Sequence, residues 1–146
     1  MTPTPSQRWE TMTTTTDPDT DPQVWADEHS IPVGTHYGGE KGRRYPDGSI
    51  TIRSDLGPIN RRCTLAHELG HHVHGDTPTP DRHTYSRQER RAWEWAATFL
   101  IDAETYRQAE LTVGCHPGAL AAELGVTVHL ITVWRTMTRK RETTTP

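Results

Sequence analysis

The chain has 146 residues, 32% of them hydrophobic, and a formal charge of -3, which allows one core of ordinary domain size and gives no general electrostatic reason to expect nucleic acid. No apolar run approaches the roughly 20 residues that span a bilayer. Two cysteines, Cys63 and Cys115, cannot build a disulfide framework, and no basic-then-apolar leader opens the chain, so the expectation is a cytoplasmic protein without a membrane role.

Leu, Ile, Val and Phe supply 22 residues, while five Trp and four Tyr add large buriable surfaces. This balance predicts a small folded core flanked by loose ends, a core that a bound metal would help. Nine histidines stand out, four of them (His67, His71, His72, His74) within eight residues.

Residues 1–22 hold eight Thr, four Pro and three Asp and read as a solvated, disordered tail. Met12 lies inside it as a second candidate start beside Met1. Residues 23–138 are the expected domain. Within it, residues 31–53 combine several glycines with the turn-like Pro46-Asp47-Gly48-Ser49 and the alternating run Ser49 to Arg53, which predicts a short antiparallel sheet. Gly57-Pro58 then opens a helix running to about His74, closed by Gly75 and the prolines beyond. A second helix spans about Ser86 to Ile101, and two shorter ones follow, near Pro117 to Leu124 and Val128 to Arg139. Residues 139–146 read as a loose end.

His67-Glu68-Leu69-Gly70-His71 is an HExxH string. Residues four apart on a helix sit one above the other, so His67 and His71 can offer two imidazoles to one tetrahedral Zn2+, and Glu68 can reach a water on that metal. At about 100° per residue, Leu65, Ala66, Leu69 and Val73 occupy one side of the helix and the two histidines the other. A third protein ligand is then required. Glu89 is the candidate: it falls on the apolar stripe of the second helix with Ala92, Ala96 and Phe99, where a carboxylate is costly unless paired or metal-bound. Glu94 lies on the opposite side and is the weaker choice; Asp76, Asp81 and His83 are other nearby candidates for the third ligand. A third histidine in the HExxHxxGxxH pattern is excluded, because His74 and Thr77 occupy the Gly and last His positions. His72 and His74 read as packing or capping groups, and Cys63 as a small buried residue.

Arg61 to His72, with the HExxH string, and Glu89 to Ile101 resemble the ImmA/IrrE-type metallopeptidases, as does the hairpin Tyr45 to Ile50. The resemblance covers about residues 31–135. It implies an α+β, zincin-like fold, a short sheet packed on the HExxH helix and a glutamate-bearing helix, followed by a helical pair over 114–138. It also implies a zinc-dependent endopeptidase, often encoded by phages or mobile elements and acting in a bacterial host, that cleaves or inactivates a helix-turn-helix repressor. Carried over residue by residue, His67, His71 and Glu89 match the metal ligands and Glu68 the general base. Two positions depart. Trp93 stands where the family usually has an Asp or Asn that orients a ligand histidine, a loss that costs about 10 to 100-fold in metal affinity or activity unless Glu94 or another carboxylate substitutes. Asp102 replaces a proline after Phe99-Leu100-Ile101. His83, Tyr85 and His116 are available as oxyanion donors, and Ser49 to Arg53 is expected to form the sheet edge along which an extended substrate adds.

Ala119 to Thr127, followed by Ile131 and Trp134, has the layout of a helix-turn-helix. DNA binding through residues 117–141 is therefore the second reading, with Arg135, Arg139, Lys140 and Arg141 as phosphate contacts and His129, Thr132 and Thr136 facing outward. A structural or repressor-docking role is favoured over it. A third reading, zinc binding or sensing without turnover, rests on Trp93. The sequence sets no oligomeric state.

Overall fold

The computed structural model describes residues 20–144, so the expected tail up to Asp19 and the last two residues lie outside it. The fold is α+β. The described residues form six helices and a three-stranded sheet: α1 (Pro22–Glu28), β1 (Val33–His36), β2 (Gly42–Arg44), β3 (Ile50–Arg53), α2 (Pro58–Val73), α3 (Arg82–Leu100), α4 (Ala103–Val113), α5 (Pro117–Leu124) and α6 (Val128–Thr144). The sheet packs on α2.

Strand order is β1-β3-β2. The turn at Pro46 to Ser49 makes β2 and β3 antiparallel, pairing Gly42 with Ile52 and Arg44 with Ile50. Gly48 adopts φ +90° there, a conformation that favours glycine, and the Asp47 carboxylate accepts from the Ser49 N–H and hydroxyl. β1 lies on the other side of β3 and runs parallel to it, Val33 beside Ile50 and His36 beside Arg53. The sheet is thus mixed rather than wholly antiparallel, and Ser49 to Arg53 is central, not the edge expected from sequence. The edge nearest the helices is β2. Alternation in β3 buries Ile50 and Ile52, which join Ala26, Ile31, Leu65 and Leu69 in one small core. Buried His36 ties down the β1–β2 connection through Thr51 Oγ1 and the Glu40 carbonyl, both at 2.7 Å.

The second, larger core lies among α2, α3, α5 and α6 and includes Cys63, Ala97, Leu120, Leu130, Ile131 and Trp134. At roughly 1.5–3 kcal/mol for each fully buried Leu or Ile, these helices are held mainly by packing. Small residues set how closely they approach. A Cβ on Gly70 would sit 2.6 Å from the Ala92 carbonyl oxygen and 2.9 Å from its Cα, so α2 and α3 touch backbone to backbone.

Helix α2 begins at Pro58 after Gly57 and ends before Gly75 at φ +65°. α3 starts four residues earlier than its apolar stripe, because the Asp81 side chain caps it by accepting from Thr84 N–H. Asp102 caps the unexpected helix α4 in the same way through Thr105. α1, also unexpected, is capped by Asp21 and led by Pro22. α5 occupies Pro117 to Leu124 as expected, closed by left-handed Gly125. α6 continues to Thr144, so residues 139–144 extend a helix instead of forming a loose end. Among the described residues no single helix is long and apolar enough to cross a membrane.

Candidate metal centre

The contact between Gly70 and Ala92 brings the last turns of α2 and the middle of α3 together. Their ligand-type side chains meet there. His71 Nε2 lies 3.2 Å from His67 Nε2 and 2.9 Å from Glu89 Oε1, and His67 Nε2 lies 3.3 Å from Glu89 Oε2. Donors each about 2.0–2.1 Å from a tetrahedral ion lie roughly 3.3 Å from one another, so two imidazoles and a carboxylate already hold close to the spacing zinc requires. Their chemistry, N, N and O, also suits zinc. Among the described residues His67, His71 and Glu89 form a group able to hold a metal ion. Both histidines are buried and Glu89 is partly open, which leaves one side of the trio facing a cleft.

The two histidines are supported differently. His71 Nδ1 donates to Asp76 Oδ2 at 2.9 Å, and Asp76 Oδ1 accepts from Arg91 at 3.1 Å. Asp76 is itself buried, where the chain folds back after the end of α2 and its N–H donates to the His71 carbonyl. Burial alone would lower the His71 pKa. Hydrogen bonds to Glu89 and Asp76, one at each ring nitrogen, outweigh it and raise the value above the usual imidazole range. The same imidazoles hold the Glu89 carboxyl well below the ordinary carboxylate range, His67 first and His71 second.

His67 has no such carboxylate. Its Nδ1 is buried without a hydrogen-bond partner, and the Trp93 indole stacks on the ring at 4.0 Å and 27°. Trp93 therefore supports this imidazole through its face, and Glu94 does not substitute, since it pairs loosely with Arg90 at 3.9 Å. The carboxylate that does hold one of these imidazoles is Asp76, on the other histidine.

Glu68 is buried beside this group. Arg44 Nε sits 3.4 Å from its Oε2, while Arg44 Nη1 donates to the Asp76 carbonyl at 2.8 Å. Gly42 is needed next to it: a Cβ there would fall 2.7 Å from Glu68 Cγ and 2.9 Å from Oε1. A cleft of about 580 Å3 opens over His67, Glu68 and Glu89, walled by Gly42, Trp93 and His129 among others. Tyr85 also lines it. His83 is exposed and is not among the lining residues. His116 is spent on capping α5, where its Nδ1 accepts from Gly118 N–H at 3.1 Å. His72 is exposed, and His74 donates to the Gly70 carbonyl at the helix end.

Arg44, the orienting role of Asp76 and the cleft position of His129 were missed from sequence. Asp76 follows His71 by five residues just past a helix end, a weak signal. Arg44 and His129 reach the site from elements distant in the chain, and no local pattern marks them. Burial, and then the nearby His67 and Lys41, lower the His129 pKa.

The sequence model of the IrrE N-terminal-like domain (Peptidase_M78) matches residues 26–133. No curated protein matches the chain. The match takes in the sheet, the helix pair that carries His67, His71 and Glu89, and α6 as far as Val133, and on that span the chain belongs to the IrrE N-terminal-like family of metallopeptidases.

Proposed function

We propose that the protein is a zinc-dependent endopeptidase that cuts a regulatory protein of the helix-turn-helix repressor type. The observation that carries this reading is the near-tetrahedral spacing of His67, His71 and Glu89 beneath a cleft that Glu68 also lines. His67, His71 and Glu89 would hold the zinc, which would supply Lewis-acid chemistry toward a peptide carbonyl and toward the attacking water. Glu68 takes the proton of the attacking water and returns it to the leaving amine. Arg44 fixes the Glu68 carboxylate, and Asp76, by accepting from His71 Nδ1, keeps the His71 Nε2 lone pair aimed at the ligand position. Tyr85 and His129 line the cleft as donors for a developing oxyanion.

Extended substrate aligns along β2. Arg53 N–H donates to the Lys41 carbonyl and Tyr45 N–H to the Ser49 carbonyl, so by the alternation of an antiparallel ladder Lys41, Arg43 and Tyr45 point their backbone groups at β3 while those of Gly42 and Arg44 point outward. A peptide added there runs past Glu68.

One observation weighs against DNA as the ligand of the C-terminal pair: Arg135, a cation the DNA reading needs for phosphate contact, is engaged by the Tyr106 hydroxyl and the Cys115 carbonyl. The unpartnered Nδ1 of His67 favours, as a second reading, metal binding without turnover. Elemental analysis and cleavage of a repressor substrate separate the two. Glu68→Gln is expected to keep one zinc per chain and lose cleavage, and Glu89→Ala to lose zinc; undiminished zinc in Glu89→Ala overturns the ligand set, and absence of cleavage by the zinc-loaded native chain favours the second reading.

A further inference from the structure

Trp93 and His129, packed edge to face with ring centroids 4.7 Å apart, line two cavities at once. One is the cleft over the metal ligands. The other is a groove of about 240 Å3 between α3 and α6, lined also by Val133, Met137, Thr132 and Thr136. It is roomy enough to admit one bulky side chain.

The groove offers apolar contact and few hydrogen bonds. Trp93, Val133 and Met137 are partly buried hydrophobic residues at the margin of the larger core. The Thr132 and Thr136 hydroxyls donate to carbonyls of their own helix, those of Val128 and Thr132. Of the charged residues that line it, Arg90 and Glu94 face each other at 3.9 Å, and Lys140 is the third. A polar or charged side chain entering here would lose water and find little in return, whereas an apolar one would cover Trp93, Val133 and Met137.

From this arrangement we infer that the α3–α6 groove is a substrate side-chain subsite, taking a large apolar residue of the peptide on one side of the scissile bond. A chain crossing the Trp93–His129 wall lies over the metal ligands on one side and delivers a side chain into the groove on the other. The inference rests on the peptidase reading and deepens it. It also gives Trp93 two surfaces with separate duties: one face steadies His67, and the same ring forms the wall of the groove.

Methyl NMR of the full chain, loaded with zinc, tests this with N-acetyl-leucinamide as the probe and N-acetylglycinamide as the control. The leucine compound should shift the Val133 and Met137 methyl signals saturably, and the glycine compound should not at equal concentration. Thr136→Trp, a groove-filling change at an exposed position, should weaken the leucine response at least fivefold. Equal shifts from both compounds, or a leucine response indifferent to Thr136→Trp, overturn the subsite; if that variant fails to fold, the leucine-against-glycine comparison on the native chain decides. Repeating the titration on Glu68→Gln keeps the two proposals apart. Probe binding there without cleavage by the native chain refutes the peptidase reading alone, and cleavage without probe binding refutes the subsite alone.

Discussion

Asp76→Asn isolates how the site is oriented. The Asp76 carboxylate accepts from His71 Nδ1 on one oxygen and from Arg91 on the other, at 2.9 and 3.1 Å, with its side chain 2% exposed. An amide has one acceptor oxygen, so it can serve only one of these donors. If that oxygen stays with Arg91, the NH2 group faces His71 Nδ1 and favours the tautomer whose proton sits on Nε2, the atom needed for metal. If it stays with His71, the amide NH2 is left against the Arg91 guanidinium. Either way a hydrogen bond to a charged group, worth about 1.5–3 kcal/mol, is lost or replaced by a neutral one. That is about 10 to 100-fold in affinity, the same range seen when partners of metal-bound histidines are removed elsewhere. Competition with a chromophoric zinc chelator at fixed pH reads the change directly, and circular dichroism establishes that the fold persists. Zinc affinity within threefold of the native value would refute the orienting role.

Three further predictions concern packing, pH and proton release. Gly70→Ala forces a methyl against the Ala92 backbone; overpacking of this kind costs about 1–3 kcal/mol, so thermal unfolding of the variant should shift down by several degrees and zinc affinity should fall with it, while an unchanged Tm would show that α2 and α3 separate freely. In the metal-free protein, the raised pKa of His71 contributes stability below its ordinary 6.5 that is lost as pH rises through the folded value; the depressed pKa of Glu89 contributes stability above its ordinary 4.5 that is lost as pH falls through its folded value. Denaturant unfolding with chelator present should therefore be hardest between about pH 4.5 and 6.5, and zinc binding at pH 7 should release protons, measurable by calorimetry in buffers of different ionisation enthalpy; proton uptake on binding would contradict the assignment.

The chemistry of this site was legible wherever it followed a helical period. His67, Glu68 and His71 lie within two turns, and Glu89 could be found because a carboxylate on an apolar stripe needs a partner. Helices α2 and α5 were legible at their ends through Pro58, Pro117 and the glycines that close them. Helix α4 was not, since Ala109 is its one buried residue and it has little apolar periodicity to read. The parallel pairing of β1 with β3 depends on which side of the hairpin a distant strand takes, and a turn sequence reports only on the strands it joins. Asp76 was considered as a ligand, but its role depends on the chain folding back to the His71 ring. Trp93 was identifiable as a departure; that an aromatic face could steady an imidazole in place of a hydrogen bond needed the coordinates.

Because the donors are divided between two helices, a bound ion would act as a rivet as well as a reagent. Gly70 and Ala92 place the plates in contact, and the ion would fasten them within one turn of that point. In a domain with few large aliphatic residues, loading should thus stiffen the joint, and stripping the ion should let the cleft floor and the helix beneath it loosen together.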